Sequence, residues 1–328
     1  MQPTLDEDKM KRHLGVLIAV FAASAVQAFA QGYPNKPVHA VITFVPGTST
    51  DIVGRVVMQK LSEYWGQPVI AENRAGAGGA IGSGLVAKAA PDGYTLLIDS
   101  SAHAVSPAMY AKLPYDTLKD FIDISPLAAQ PNVLVVSSSS GIKTVADFIA
   151  EAKAKSGQMN VGSAGIGSGT HLNIEKFKLA TGTDVVHIPY KGTPEVITDI
   201  FGGRITAYFA PISAVLSSIR DGKLRAIAVS SAKRNSSLPE VPAISESVPG
   251  FEFTLWFGLW APAGTPSQVV NKISTDVRRA LGSQDVKERL ARLGNDTMIM
   301  TPQEFGAFVR REVADYARII KAAGIKPQ

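Results

Sequence analysis

A short apolar, β-branched run from Val38 to Val45 ends in Pro46-Gly47 and is followed by Ile52, Val53, Val56, Val57, Leu61 and Tyr64 at helical spacing. One strand, turn and helix in that order constrains little. Repetition of the unit constrains the fold strongly. Pro68 to Ala71 reads as a second strand, Ala80 to Ala90 as a small-residue helix, and Tyr94 to Asp99 as a third strand after the Asp92-Gly93 turn. Strands that alternate with helices predict a parallel, doubly wound α/β sheet, because only a crossover helix joins parallel neighbours over so short a stretch.

A second series follows. Val133 to Val136 and Met159 to Gly162 read as strands around a helix from Val145 to Lys155, and a Gly-rich turn leads into a helix through Leu172 and Phe177. Val185 to Ile188, a helix from Glu195 to Phe201, Ile205 to Phe209 and Ala226 to Val229 supply enough strands for a second sheet. After Pro239, Pro242 and Pro249, the apolar segment Phe253 to Trp260 leads to a helix centred on Val269, Val270, Ile273, Val277 and Leu281. A last helix carries Phe305, Phe308, Val309, Tyr316, Ile319 and Ile320. Periodicity alone does not say to which sheet these late helices return.

Two turns stand where a strand hands over to a helix, so the unpaired N–H groups and positive dipole end of the helix point at one place and favour an anion there. The first is Pro46-Gly47-Thr48-Ser49-Thr50-Asp51, in which the threonines and serine add hydroxyl donors and Asp51 is suited to capping adjacent amides. The second runs from Gly162 to His171. Its glycines Gly165, Gly167 and Gly169 permit close approach to the main chain, while Ser168, Thr170 and His171 offer directional hydrogen bonds. His171 fits a ligand contact or a bond to its own turn equally well. One such turn in each series predicts a cleft with an anion site on either wall, a geometry that suits a dicarboxylate. Trp65, Trp256 and Trp260 are expected in the core.

Other chemistries find little support. The chain has no cysteine, which removes disulfides, thiolate nucleophiles and Cys-ligated metals. The five histidines show no short metal-ligand spacing, and G-x-S-x-G, H-E-x-x-H and P-loop patterns are missing, so neither a metal nor a cofactor nor catalysis is expected. Gly82-x-Gly84-x-x-Ala87 nominally matches a dinucleotide fingerprint but follows a long loop and reads as a packing element. The net charge of +5 is dispersed, which suits small anions and argues against a nucleic-acid partner. Lys11 and Arg12, the apolar stretch from Leu14 to Ala25 and Ala28-Phe29-Ala30 have the layout of a signal peptide over 1–30 cleaved near Ala30. The acidic Asp6-Glu7-Asp8 places the expected start at Met10. The apolar stretch is shorter than the roughly 20 residues of a spanning helix.

From Tyr33 onward the chain resembles the Bug/TctC family of periplasmic solute receptors. The resemblance is carried by YPNKPV at 33–38, the PG…D turn at 46–51, ENRAGAGGAIG at 72–82, PDGYTLL at 91–97, SAGIGSGTHL at 163–172 and PYKGTPE at 189–195. FGGRI at 201–205, LPEVPAISE at 238–246 and APAGTP at 261–266 continue it. It implies a two-lobe Venus-flytrap fold, with 31–131 and 253–328 in the first lobe and 132–252 in the second. It also implies a periplasmic, monomeric binding protein without enzymatic activity, which captures a small carboxylate and delivers it to separate integral-membrane transporter subunits, or alternatively presents its closed form to a sensor kinase. A hydrolase or lyase acting on such acids lacks a nucleophile and base at recognisable spacing. Carried onto matching positions, the implied contacts are Gly47, Thr48, Ser49, Thr50 and Asp51, then Ser100, Ser101 and Ala102, and Gly165 through His171. Phe44, Tyr190, Lys191 and Phe209 complete the set. Thr48 stands where many members carry a second glycine, and its methyl and hydroxyl reshape the first-lobe pocket. An aliphatic or aromatic dicarboxylate is the expected ligand.

Overall fold

The computed structural model describes residues 32–327; the expected signal segment lies outside them. The first lobe is built on β1 (Val38–Ile42), flanked in parallel by β2 (Val69–Asn73) and β3 (Thr95–Ser100), with Val38 opposite Val69 and His39 opposite Thr95. β1 is buried except at His39, as a central parallel strand covered on both faces must be. Its crossovers are α1 (Ser49–Trp65) and α2 (Ala80–Ala87), and α3 (Ala102–Met109) follows β3. α1 ends at Gly66, whose φ of 60° supplies the left-handed stop that a side chain would resist.

β4 (Phe121–Ser137) is the longest strand and belongs to both lobes. From Phe121 to Pro131 it pairs antiparallel with β9 (Thr254–Pro262), which itself lies against β3, giving the order β2-β1-β3-β9-β4. From Asn132 onward it pairs instead with β7 (Ala207–Pro211) and β8 (Leu224–Val229). Beyond β7 lie β5 (Asn160–Ser163) and β6 (Val186–Pro189), parallel to one another. Register shifts within β4 let the strand bend as it crosses between sheets.

The second crossing, at Phe253–Thr254, lies beside the first, and Ser230 ties the two. Its hydroxyl accepts from Asn132 N at 2.8 Å and donates to Phe253 O at 2.6 Å, while its own amide donates to Asn132 O at 2.7 Å. The helices of the second lobe are α4 (Val145–Ala154), α5 (Gly169–Thr181), α6 (Thr193–Phe201) and α7 (Ile212–Arg220). After β9 the chain adds α8 (Ser267–Gly282), α9 (Gln284–Arg292), the short β10 (Asp296–Thr297) against the first-lobe part of β4, and α10 (Pro302–Ala322). α8 packs on α1 and β4, and α10 on α3, β4 and α5. Trp256 and Trp260 are buried in the core, whereas Trp65 is half-buried and donates to Asp276 Oδ2 at 2.7 Å.

The sequence reading placed β1, β3, β5 and α4 closely and missed α3, α7 and the first half of β4. For α3 and β4 the reason is Pro107 and Pro126 with Pro131, each of which weakens the local pattern until tertiary packing overrides it, whereas α7 contains no proline and carries Ile212, Val215, Leu216 and Ile219 at helical spacing. The nominal dinucleotide glycines fall inside α2. A Cβ at Gly82 would come within 2.8 Å of Arg74 O, so this glycine serves close packing.

Candidate functional site

Five helices begin at one place between the lobes. α1 starts at Ser49, α3 just after Ser100 and Ser101, α5 at Gly169, α6 at Thr193 and α7 just after Pro211. Between these starts lies a cavity of about 20 Å³, room for little more than a water molecule. The first lobe lines it with Phe44, Thr48, Ser49, Thr50, Ser100 and Leu255, and the second with Ala164, Ser168, Gly169, Thr170, Thr193 and Pro211. Seven of these twelve carry a hydroxyl and none carries a charge, so the wall itself offers hydroxyls and aligned backbone dipoles rather than side-chain ions.

On the first wall, Thr48 occupies the N-cap position of α1 without making a cap bond, and its hydroxyl donates to Val45 O at 2.8 Å instead. The first-turn amides of α1 therefore lack a side-chain acceptor from the cap. Asp51 is buried but does not line the cavity. One carboxylate oxygen accepts from Gly47 N at 3.1 Å, and the other from Arg55 Nε at 2.7 Å and Asn73 Nδ2 at 2.9 Å. It thus caps the turn and takes Gly47's amide with it. Ser100 Oγ accepts from Ala102 N at 3.2 Å; Ala102 packs with Phe44 and Ala164, and Ser101 Oγ lies 2.6 Å from where a Cβ on Gly169 would sit, so both are buried at the lobe contact without lining the cavity.

On the second wall, the glycine-rich turn is held by its own hydrogen bonds. Gly165 N donates to Ser163 Oγ at 3.1 Å, Ala164 N to Thr170 Oγ1 at 2.9 Å, Gly167 N to His171 Nδ1 at 3.3 Å and Ser168 N to Gly165 O at 3.1 Å. Gly165 and Gly167 stay off the cavity wall, with φ of 119° and 77° that side chains resist. What faces the cavity is the start of α5, at Ser168, Gly169 and Thr170. Ser168 caps that helix by accepting from His171 N at 3.2 Å. Ser168→Ala is expected to cost about 1 kcal/mol of stability, the usual value of a lost N-cap, read as a lower urea midpoint at unchanged slope.

His171 resolves in favour of its own turn. Its ring stacks on His187 with centroids 3.8 Å apart and planes within 10°, and Ser163 Oγ shares a 2.5 Å hydrogen bond with His187 Nε2. Burial and the charge of Lys178 push His171 down to about 4; burial, His171 and Lys178 push His187 down to about 3. An unprotonated Nδ1 is what Gly167 N–H requires. Three further residues expected at the site lie elsewhere. Tyr190 donates its hydroxyl to Asp199 at 2.6 Å, Lys191 is exposed, and Phe209 packs into the core against Phe177 and Phe148 with centroids at 5.2 and 6.4 Å. Strand alternation explains Phe209. Its neighbour Tyr208 occupies the opposite face and shares a 2.9 Å hydrogen bond with Thr193 Oγ1.

Ala164, Thr193, Pro211 and Leu255 were not read from the sequence. Thr193 had a signal, because Gly192-Thr193-Pro194 marks a helix start inside a quoted motif. Leu255 had none: only the return of the chain through β9 brings it to the cavity.

The lobes are closed on one another. Ser213 Oγ, at the start of α7, donates to Ser49 Oγ at 2.8 Å, and Tyr110 OH donates to Ile166 O at 2.9 Å. Gly78 abuts Ile166 so closely that a Cβ there would sit 2.1 Å from Ile166 O.

Residues 53–325 match the family model described as the tripartite tricarboxylate transporter family receptor. Protein BugT of Bordetella pertussis is 36% identical over 316 residues, covering 95% of this chain and 97% of BugT. The structure of R. palustris Rpa4515 with adipate superposes with a TM-score of 0.87 at 34% identity, covering 90% of this chain and all of that one. MatC (Rpa3494) from Rhodopseudomonas palustris with bound malate gives a TM-score of 0.83 at 30% identity, over 88% of this chain and all of MatC. The match over residues 53–325 takes in most of both lobes, and the chain belongs to the tripartite tricarboxylate transporter receptor family.

Proposed function

We propose that the protein is an exported, non-catalytic receptor that holds a small dicarboxylate without an amino group between its lobes and delivers it to the membrane subunits of a tripartite tricarboxylate-type transporter. The observation that carries this reading is the convergence of five helix starts on a cavity whose lining contains hydroxyls and no charged side chain. Amide dipoles and hydroxyls favour carboxylates on both walls, and Phe44, Pro211 and Leu255 offer apolar surface to the carbon chain between them. An ammonium group would find no lining carboxylate and would be buried unpaired. Relatives solved with adipate and with malate agree with a dicarboxylate ligand. Export rests on the signal-like layout over 1–30 and on the family.

Capture requires the lobes to part, since the closed cavity has no room for such a ligand, and to close again around it. Ligand then shifts the population toward a liganded closed form that membrane subunits are able to distinguish. Calorimetry on ligand-stripped protein tests this with matched pairs. Adipate and glutarate are expected to bind saturably and without turnover, and glutamate at least about ten-fold more weakly than glutarate, a modest estimate for a buried unpaired ammonium. Equal affinity for glutamate and glutarate, or chemical conversion of a bound acid, would refute the reading.

A further inference from the structure

Directly behind Ser100 lies a carboxylate that the cleft does not need in order to bind an anion and that its position makes awkward. Asp99 is 1% exposed at the C-terminal end of β3. Its oxygens accept from Ser100 N at 2.7 Å, Thr43 Oγ1 at 2.7 Å and Ser83 Oγ at 3.2 Å. Gly79 covers the group so closely that a Cβ there would lie 3.1 Å from Oδ2. The elements packed around it bring no cation. The end of β1 presents Thr43, α2 presents Ser83, and the phenol of Tyr115, itself pushed up by burial and by Asp99, is a titratable neighbour.

We infer that Asp99 is a positioning residue for the cleft and that capture of a dicarboxylate takes up a proton there. The inference rests on the carboxylate reading of the cleft. Asp99 fixes the amide of Ser100, whose hydroxyl in turn holds Ala102 N at the start of α3. An anion at Ser100 would face the Asp99 charge across one residue in a medium that screens poorly, and like charges so placed favour protonation of one of them. Burial, partly offset by the hydrogen bonds from Thr43, Ser100 and Ser83, already raises Asp99 to about 7, so the proton is available near neutrality. Both hydroxyl donors are able to rotate, so a protonated Asp99 keeps Ser100 N–H on its unprotonated oxygen and its neighbours satisfied. His171 and His187 do not compete for this role, because burial keeps both neutral well below this range.

The test is calorimetric titration of the ligand-stripped protein with adipate, a ligand fully ionised above pH 6.5, in buffers of different ionisation enthalpy. Near pH 7.5 the buffer dependence is expected to report uptake of about half a proton or more per ligand, and affinity is expected to fall about ten-fold between pH 6.5 and 8.5. Asp99→Asn, which preserves an acceptor for Ser100 N–H, is expected to abolish the uptake and flatten the pH profile. Buffer-independent heats with a flat wild-type profile overturn the inference and leave the receptor reading standing. Persistence of the uptake in the variant also overturns it, by placing the proton elsewhere. Absence of binding by adipate, glutarate and malate alike overturns both. The wild-type measurement stands alone if the variant fails to fold.

Discussion

Gly78→Ala is expected to weaken carboxylate binding on the order of a hundred-fold while each lobe still folds. The new Cβ would lie 2.1 Å from Ile166 O, an atom of the facing lobe's main chain that cannot rotate away. Separation by more than an ångström at this seam would relieve it and would break the hydrogen bond from Tyr110 OH to the same oxygen. Overpacking of about 1–3 kcal/mol and a lost hydrogen bond of about 1 kcal/mol together approach the roughly 3 kcal/mol that a hundred-fold represents. Gly78 also has φ of 59°, so alanine adds a cost of about 1–2 kcal/mol. That cost falls on open and closed forms alike and lowers stability without changing affinity. Calorimetry gives the affinity, and small-angle scattering under saturating ligand is expected to give a larger radius of gyration than wild type. Unchanged affinity would mean that capture does not use this seam.

Acid is expected to unfold the protein steeply. His103 is fully buried, with its ring 4.4 Å from Trp260 and 4.8 Å from Phe121 by centroids, and burial holds it down to about 3. With His171 and His187 held to about 4 and about 3, three imidazoles stay neutral in the fold and charge in the unfolded chain as pH drops below their ordinary value near 6.5. Their folded values are depressed, so their contribution is fully present above about pH 6.5 and is lost as pH falls toward 4. Asp99 acts in the opposite sense. Raised to about 7, it is protonated in the fold and ionised in the unfolded chain between about pH 4 and 7. Three protons gained by the unfolded state against one gained by the fold leave a net two, or up to about 2.7 kcal/mol per pH unit between roughly pH 6 and 4. The stacked pair titrates as a unit, which spreads its share across that window. Urea midpoints measured from pH 8 to pH 4 check this, and replacement of His103 by Phe is expected to remove about one proton from the slope. A flat profile would mean that the histidines are hydrated in solution.

What the sequence disclosed and what it withheld divide along a physical line. Pro46-Gly47 and the Gly162–His171 turn were legible because helix starts, glycines and hydroxyl residues are local signals, and Thr48, Ser49, Thr50, Ser168, Gly169 and Thr170 do line the cavity. Within those turns, Asp51 holds the Gly47 amide, as its charge indicated, whereas the choice for His171 between facing outward and bracing the loop was not legible. His171 holds the Gly167 amide, because a hydrogen-bond partner four residues away competes with any ligand. Phe209 failed by one position, which in a strand exchanges core for the opposite face. Leu255 and Pro211 depend on pairings between distant segments, and a single sequence carries no trace of those. The same holds for β4, whose two prolines argue against the long strand that joins the lobes.

That joint has a mechanical consequence. Because one serine grips both chain crossings, the lobes have a fulcrum rather than a flexible tether, with Ser230, Asn132 and Phe253 at its pivot. Leu255, two residues from the pivot, sits on a short lever arm and barely travels when the lobes part. Gly78 and Ile166, which meet across the seam, are far along the chain from the pivot. Rotation through a small angle therefore leaves the inner end of the cleft nearly stationary while the rim swings wide. A ligand would seat its first end against a stationary anvil and have its second end gripped by the moving jaw.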